Sequence, residues 1–331
     1  MSTVVQMPLR TDYAERLPPD CLMSECGTQQ SVEPLVESSV ESSVEPSVEA
    51  SLELRTDALV NLNAATLRLP GHCFGPFSLR LQAGERVAIL GPSGAGKSTL
   101  LKLMSAEYAA HSGEVFFEGQ VLRAWQAADL ARRRAVLPQS HAVAFDLPVS
   151  LVVSLGRVAR LHDPDQALIV TKALQLAQAG HLAARRFDTL SGGEQARVQL
   201  ARIFAQLWEE EGALLLVDEP LASLDPGLQF DLMDAMQTFS QARGHALVAV
   251  LHDINQALSS FDRLWLINQG RMQADIAPDA DAVPTLEALY GIGLRTVLST
   301  ESHPGDQGGR RRIAVVPYRR ARSAVVATSS A

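Results

Sequence analysis

Residues 86–98 read Arg86-Val87-Ala88-Ile89-Leu90-Gly91-Pro92-Ser93-Gly94-Ala95-Gly96-Lys97-Ser98. Gly84-Glu85 leads into Arg86 to Leu90, a short apolar run of the kind that forms a strand covered on both faces. Lys97 to Ser105 predicts a helix. Between them, Gly91 to Ser98 fits GxxxxGK[ST], and it stands where the mechanism needs it, after a strand and before a helix. Its glycines let successive backbone N–H groups curl inward, and the helix N-terminus adds positive potential against phosphate oxygens. Lys97 is placed to reach the β- and γ-phosphates of a nucleotide, and the Ser98 hydroxyl to ligate Mg²⁺.

Outward from this loop, Ala213 to Val217 and Ala246 to Leu251 predict two further buried strands, so strands alternate with helices around a parallel sheet. Leu151 to Gln206 carries helical periodicity without comparable β-branched runs, which predicts a helical subdomain over about 140–206. In Leu214-Leu215-Leu216-Val217-Asp218-Glu219-Pro220, two acids close an otherwise apolar strand. The carboxyl ends of parallel strands are where open α/β sheets bind ligands. Asp218 is the expected Mg²⁺ ligand, and Glu219 the expected acceptor of a proton from the attacking water.

Leu190-Ser191-Gly192-Gly193-Glu194-Gln195 precedes a helix reaching about Leu207, with Ser191 as its expected N-cap. Adjacent glycines cost helix stability and make sense where backbone must approach an anion closely.

The phosphate loop, Gln139, the LSGGEQ run at 190–195, the LLLVDEP strand, the Ser223-Leu224-Asp225 turn and His252 occur in the order and spacing of the ATP-binding subunit of ABC transporters, which this chain resembles over about residues 52–300. The resemblance implies an α/β P-loop ATPase core with a helical subdomain and an N-terminal β subdomain. It implies ATP and Mg²⁺ as cofactors, with ATP held by Gly91, Pro92, Ser93, Gly94, Ala95, Gly96, Lys97, Ser98 and Thr99.

It also implies a head-to-tail homodimer. ATP on one subunit would be closed by the other's signature residues Leu190, Ser191, Gly192, Gly193, Glu194 and Gln195, with Asp225 at the dimer seam. Glu219, His252 and Gln139 would be catalytic, His252 through the γ-phosphate. Ser98, Gln139 and Asp218 would surround Mg²⁺. One departure concerns adenine, which the family often stacks on an aromatic residue at the position of Arg68, beside Leu69. Neither is aromatic here. The Arg68 guanidinium, Phe74 or Phe77 remain for that contact, and both phenylalanines read as core residues.

Arg132 to Gln139, Phe145 and Val152 to Arg157 resemble the subunits that energise import of iron chelates, haem above all, with siderophore and cobalamin importers close by. Two permease subunits are the implied partners, docked on a groove over 140–165, and a periplasmic binding protein is an indirect one. The implied location is peripheral, on the cytoplasmic face of the inner membrane. A soluble ABC ATPase of DNA repair or translation would carry tandem cassettes or a long coiled-coil insertion, and the stretch between Gln139 and Leu190 is short. An exporter and a small-molecule kinase are the other rivals; the kinase leaves LSGGEQ and Asp225 unexplained.

Composition sets the outer bounds. The chain has 331 residues, 47% hydrophobic and 20% charged, and no uninterrupted apolar run long enough to span a bilayer. The first 57 residues hold 11 Asp and Glu against 3 Arg, which accounts for the whole net charge of −8. The formally neutral remainder argues against broad nucleic-acid binding. Cys21, Cys26 and Cys73 form no framework, and no basic-then-apolar leader opens the chain, both of which fit a reducing cytosol. Cys21, Cys26 and the His72-Cys73 pair make no fourfold zinc pattern, and His111, His141, His162 and His181 show no mutual spacing. Trp125, Trp208 and Trp265 read as packing residues or partly exposed anchors.

Residues 31–50 repeat a four-residue unit with Val second and Glu third, too poor in apolar area to offset ordering entropy, so 1–51 is expected to be a disordered extension. Arg310, Arg311, Arg312, Arg319, Arg320 and Arg322 mark 301–331 as a basic tail, solvated rather than lipid-bound.

Overall fold

In the computed structural model, residues 58–139, 147–219, 224–298 and 313–318 are described, and they belong to one compact unit. The expected disordered extension over 1–51, Phe145, Ser223 and the arginines from 310 onward lie outside the described residues.

The chain opens with β1 (Val60–Leu69), β2 (His72–Leu81), β3 (Arg86–Leu90) and α1 (Lys97–Met104), followed by β4 (Ser112–Phe117), β5 (Gln120–Val121), α2 (Ala127–Arg133) and β6 (Arg134–Leu137). Helices α3 (Val149–Ser154), α4 (Gln166–Leu176) and α5 (Gly192–Leu207) come next. Then follow β7 (Leu214–Asp218), α6 (Pro226–Arg243), β8 (Ala246–Val250), α7 (Ile254–Ser260), β9 (Arg263–Asn268), β10 (Arg271–Ile276), α8 (Ala282–Tyr290), β11 (Gly293–Leu298) and β12 (Ile313–Tyr318).

The central sheet has the order β10-β9-β3-β8-β7-β6, parallel throughout except for the β9–β10 edge. Its strands are continuously apolar because both faces are covered. Side chains alternate across a strand, so Val87, Ile89, Leu214, Leu216, Val248 and Val250 join one core. There they meet Leu100, Leu101 and Met104 of α1 and Phe77 of β2. Ala88, Leu90, Leu215, Val217, Leu247 and Ala249 join the other core, beneath α5, α6 and α7.

The expected N-terminal β subdomain is an antiparallel sheet, β2-β1-β4-β5, in which β1 pairs with both β2 and β4. α3 and α4 pack on α5 as the helical layer, Val152, Val153, Ile169 and Ala173 being buried there with Ile203 and Phe204. Of the tryptophans, Trp265 is fully buried, Trp125 donates to the Phe117 carbonyl at 3.2 Å, and Trp208 lies beneath the Arg243 guanidinium.

The folded body does not stop at residue 300. β12, inside the stretch read as a basic tail, pairs antiparallel with β11, and Ile313 and Val315 are buried. Asn255 of α7 accepts the Val315 amide at 2.7 Å and donates to its carbonyl at 3.1 Å, so one side chain docks the strand. The surrounding arginines concealed this short apolar segment. No helix among the described residues is long and apolar enough to cross a membrane.

Candidate active site

The loop 91–96 leaves the end of β3 and turns into α1 through Gly96, whose φ of 99° suits glycine. A side chain at Gly91 would fall 2.0 Å from the Ile267 carbonyl oxygen, so close packing against β9 also demands glycine there. The Lys97 side chain is buried, and its ammonium donates to the carbonyls of Gly91 at 2.9 Å and Pro92 at 3.1 Å. Burial lowers its pKa, against the opposing pull of Glu219 and Asp218.

Across the loop stand the acids at the end of β7. Asp218, its last residue, is buried, and its carboxylate accepts the Ser98 hydroxyl at 2.9 Å. Burial pushes the Asp218 carboxyl up, and the Glu219 charge adds to this. Glu219 follows with a φ of 46°, a left-handed conformation uncommon for a residue that carries a side chain. One oxygen lies 2.6 Å from His252 Nε2 and 4.0 Å from the Lys97 ammonium. The other accepts the Gln139 amide at 2.9 Å. Three segments far apart in sequence thus converge on one carboxylate. Such an arrangement can orient a water molecule and take its proton.

Phe74, Ser93, Gly94, Ala95, Gly96, Lys97, Ser98, Thr99, Glu219 and His252 line a cleft of about 320 Å³. Phe77 is a core residue, as expected, but Phe74 is not confined to the core. Its ring stands over the loop, where a side chain at Gly96 would meet it at 2.8 Å. A bulge in β1 between Leu62 and Leu67 shifts the register against β2, and period-2 reasoning does not anticipate where Phe74 then lies.

The signature segment is built differently. Ser191 caps α5 by accepting the Glu194 amide at 3.3 Å, and Glu194 accepts the Ser191 amide at 2.8 Å, a reciprocal capping box. The Ser191 amide holds the Glu194 carboxyl below its usual range. Gln195 donates to the Leu190 carbonyl at 3.2 Å. At Gly193 a side chain would meet Leu228 of α6 at 2.6 Å, whereas at Gly192 it would meet nothing within 4 Å. The second glycine therefore has a packing reason and the first an open face. Asp225 caps α6 by accepting the Leu228 amide at 3.0 Å. Neither Asp225 nor any residue of 190–195 lines the phosphate-loop cleft of its own chain.

Ser98 and Asp218 stand together at 2.9 Å, and with the amide oxygen of Gln139 they would offer oxygen donors of the kind a hard cation such as Mg²⁺ takes. Among the described residues, no group of three or more His, Cys, Asp or Glu forms a protein-only metal cage. Sequence reasoning missed Tyr290, whose hydroxyl accepts the Gly91 amide at 3.1 Å from 199 residues away. No local motif marks it.

The family model described as ABC transporter matches residues 74–222. The hemin import ATP-binding protein HmuV of Pseudomonas putida is 43% identical over 231 residues, 68% of this chain and 88% of that protein. Its namesake from Bordetella pertussis is 41% identical over 236 residues, 69% of this chain and 89% of that one. Among solved structures, an inward-facing metal-chelate type ABC transporter superposes with a TM-score of 0.65 at 21% identity, covering 79% of this chain and 98% of that chain. A nucleotide-free ATP-binding cassette from an ABC transporter gives 0.58 at 19% identity, covering 71% and 95%. These two likenesses concern the fold. With the family model and the curated relatives in agreement, the chain belongs to the ABC transporter family, as one of its ATPase chains.

Proposed function

We propose that the chain is the energy-coupling ATPase subunit of a haem importer, working as a head-to-tail homodimer on the cytoplasmic face of the inner membrane. The observation that carries the chemistry is the Glu219 carboxylate, held between His252 Nε2 and the Gln139 amide at the mouth of the phosphate loop. Glu219 takes the proton of the attacking water, and His252 and Gln139 keep its two oxygens oriented. Phosphoryl transfer needs in-line positioning and charge neutralisation more than covalent chemistry. Lys97 and the loop amides meet the phosphate oxygens, and Phe74 offers adenine a ring face that Arg68 and Leu69 do not. Ser98, Asp218 and Gln139 would hold Mg²⁺, which neutralises phosphate charge when bound.

Dimerisation is supported by the signature segment standing outside its own chain's cleft while Gly192 keeps an open face. Asp225 is assigned to the seam between the two chains. Docking on two permease subunits is supported by Leu151, Leu155, Val158 and Leu161, large apolar side chains exposed on the helical layer within the expected groove. Haem as cargo, with a periplasmic binding protein upstream, is supported by relatives named for hemin import at 41–43% identity. The cargo itself never meets this chain.

Copurification with the permease and reconstitution into vesicles tests the reading. ATP-dependent accumulation of haem is expected, and accumulation of cobalamin or a ferric siderophore alone refutes the cargo. Cysteines at Ser93 and Gly192 should crosslink two chains when MgATP is present. Absence of that crosslink refutes the head-to-tail site.

A further inference from the structure

At Gly91 the chain leaves the parallel sheet. β3 ends at Leu90, Gly91 is buried, and the Ile267 carbonyl closes the space above it. A buried amide that has run past its strand ladder needs another acceptor. The Tyr290 hydroxyl supplies it at 3.1 Å, from the last residue of α8. The carbonyl of the same glycine accepts the Lys97 ammonium at 2.9 Å. Gly91 is thus gripped at its N–H by Tyr290 and itself grips the lysine through its C=O.

Tyr290 is in turn held firmly. Gly291 caps α8 in the left-handed conformation, and Glu287 accepts the Leu294 amide at 2.6 Å, which ties the helix to β11. β11 pairs with β12, and Asn255 pins β12 to α7, the helix that starts immediately after His252 and its Asp253 cap. Burial pushes the Tyr290 hydroxyl pKa up, so the group stays a neutral phenol near pH 7.

We propose that Tyr290 is a positioning residue of the nucleotide site: through the Gly91 amide it sets the carbonyl that holds the Lys97 ammonium, and so the affinity of the loop for a nucleoside triphosphate. This rests on the ATPase reading above. The C-terminal segment from α8 to β12 then braces the site from behind, at the phosphate loop through Tyr290 and beside His252 through Asn255.

The test is Tyr290→Phe in the full-length chain, which keeps the ring and removes only the hydroxyl. MgATP binding measured by calorimetric titration should weaken about tenfold, with kcat at saturating MgATP within about twofold of the parent. The Gly91 amide should lose its hydrogen-exchange protection while the unfolding midpoint stays within a few degrees. A purely packing role for the ring would leave both the affinity and the Gly91 protection unchanged, and that result overturns the proposal. Lys97→Ala separates the two levels of inference. If the parent chain binds MgATP and Lys97→Ala does not, but Tyr290→Phe binds like the parent, only the role of Tyr290 falls. If the parent and Lys97→Ala titrate alike, the nucleotide reading of the loop falls with it.

Discussion

Glu219→Gln keeps the shape of the side chain and removes its basicity. One oxygen of Glu219 lies 2.6 Å from His252 Nε2 and the other accepts Gln139 at 2.9 Å, so an amide of the same size still meets both neighbours. Loss of a positioned general base costs about 100- to 10,000-fold in rate, equivalent to roughly 3–5 kcal/mol of barrier. Nucleotide affinity should move the other way. The carboxylate stands 4.0 Å from the Lys97 ammonium, a separation at which an effective dielectric of about 20 gives roughly 4 kcal/mol of attraction. Without that charge the lysine is freer to meet phosphate, and the charge that helps keep the Asp218 carboxyl raised is also gone. The variant should therefore bind MgATP at least as tightly as the parent and stall before hydrolysis. Single-turnover phosphate release measures the first effect, and size exclusion with MgATP should show a trapped dimer. Phosphate release within tenfold of the parent would refute Glu219 as the base.

Phe74→Ala should weaken MgATP binding by about 1 kcal/mol, roughly fivefold, while tripolyphosphate binding stays unchanged; equal loss for both ligands would show that the ring shapes the loop instead of meeting the base. His245 is 1% exposed, and burial lowers its pKa to about 4 from an ordinary 6.5. The unfolded chain takes up this proton first, so the stability conferred is complete above pH 6.5 and lost as pH falls towards 4, by about 3 kcal/mol. Urea titrations at pH 7.5 and 4.5 should show a smaller acid loss for His245→Gln than for the parent. The Arg157 guanidinium is buried and pairs with both oxygens of Asp163 and with Glu209, bridging the turn after α3 to the end of α5. Arg157→Ala leaves a largely buried carboxylate without its partner and should cost about 3 kcal/mol in a denaturant titration; a loss below 1 kcal/mol would mean that water replaces the pair.

Local patterns made the strand, loop and helix from Arg86 to Met104 legible, and with them the strand-end acids and the capped start of α5. Each of these depends on chemistry within about ten residues: a run of apolar side chains, a glycine where the chain turns, a hydroxyl that caps a helix. The boundaries of these local elements moved by only a residue. The strand expected over Ala213 to Val217 runs Leu214–Asp218, since Asp218 still pairs with Val250 of β8. The order β10-β9-β3-β8-β7-β6 was not legible, because every buried strand presents the same apolar surface to either neighbour.

By itself, then, the sequence determined the class of fold and marked the residues expected to carry the phosphate chemistry, for those residues are recognised by their immediate neighbours. Gln139 and His252 were already expected alongside Glu219, but only the tertiary structure decided how the distant side chains meet: Phe74 over the loop, Gln139 and His252 on the two oxygens of Glu219, Tyr290 beneath Gly91 and β12 against Asn255. Such contacts join segments up to 199 residues apart, and their partners are chosen by the geometry of the packed sheet, which no periodicity along the chain encodes.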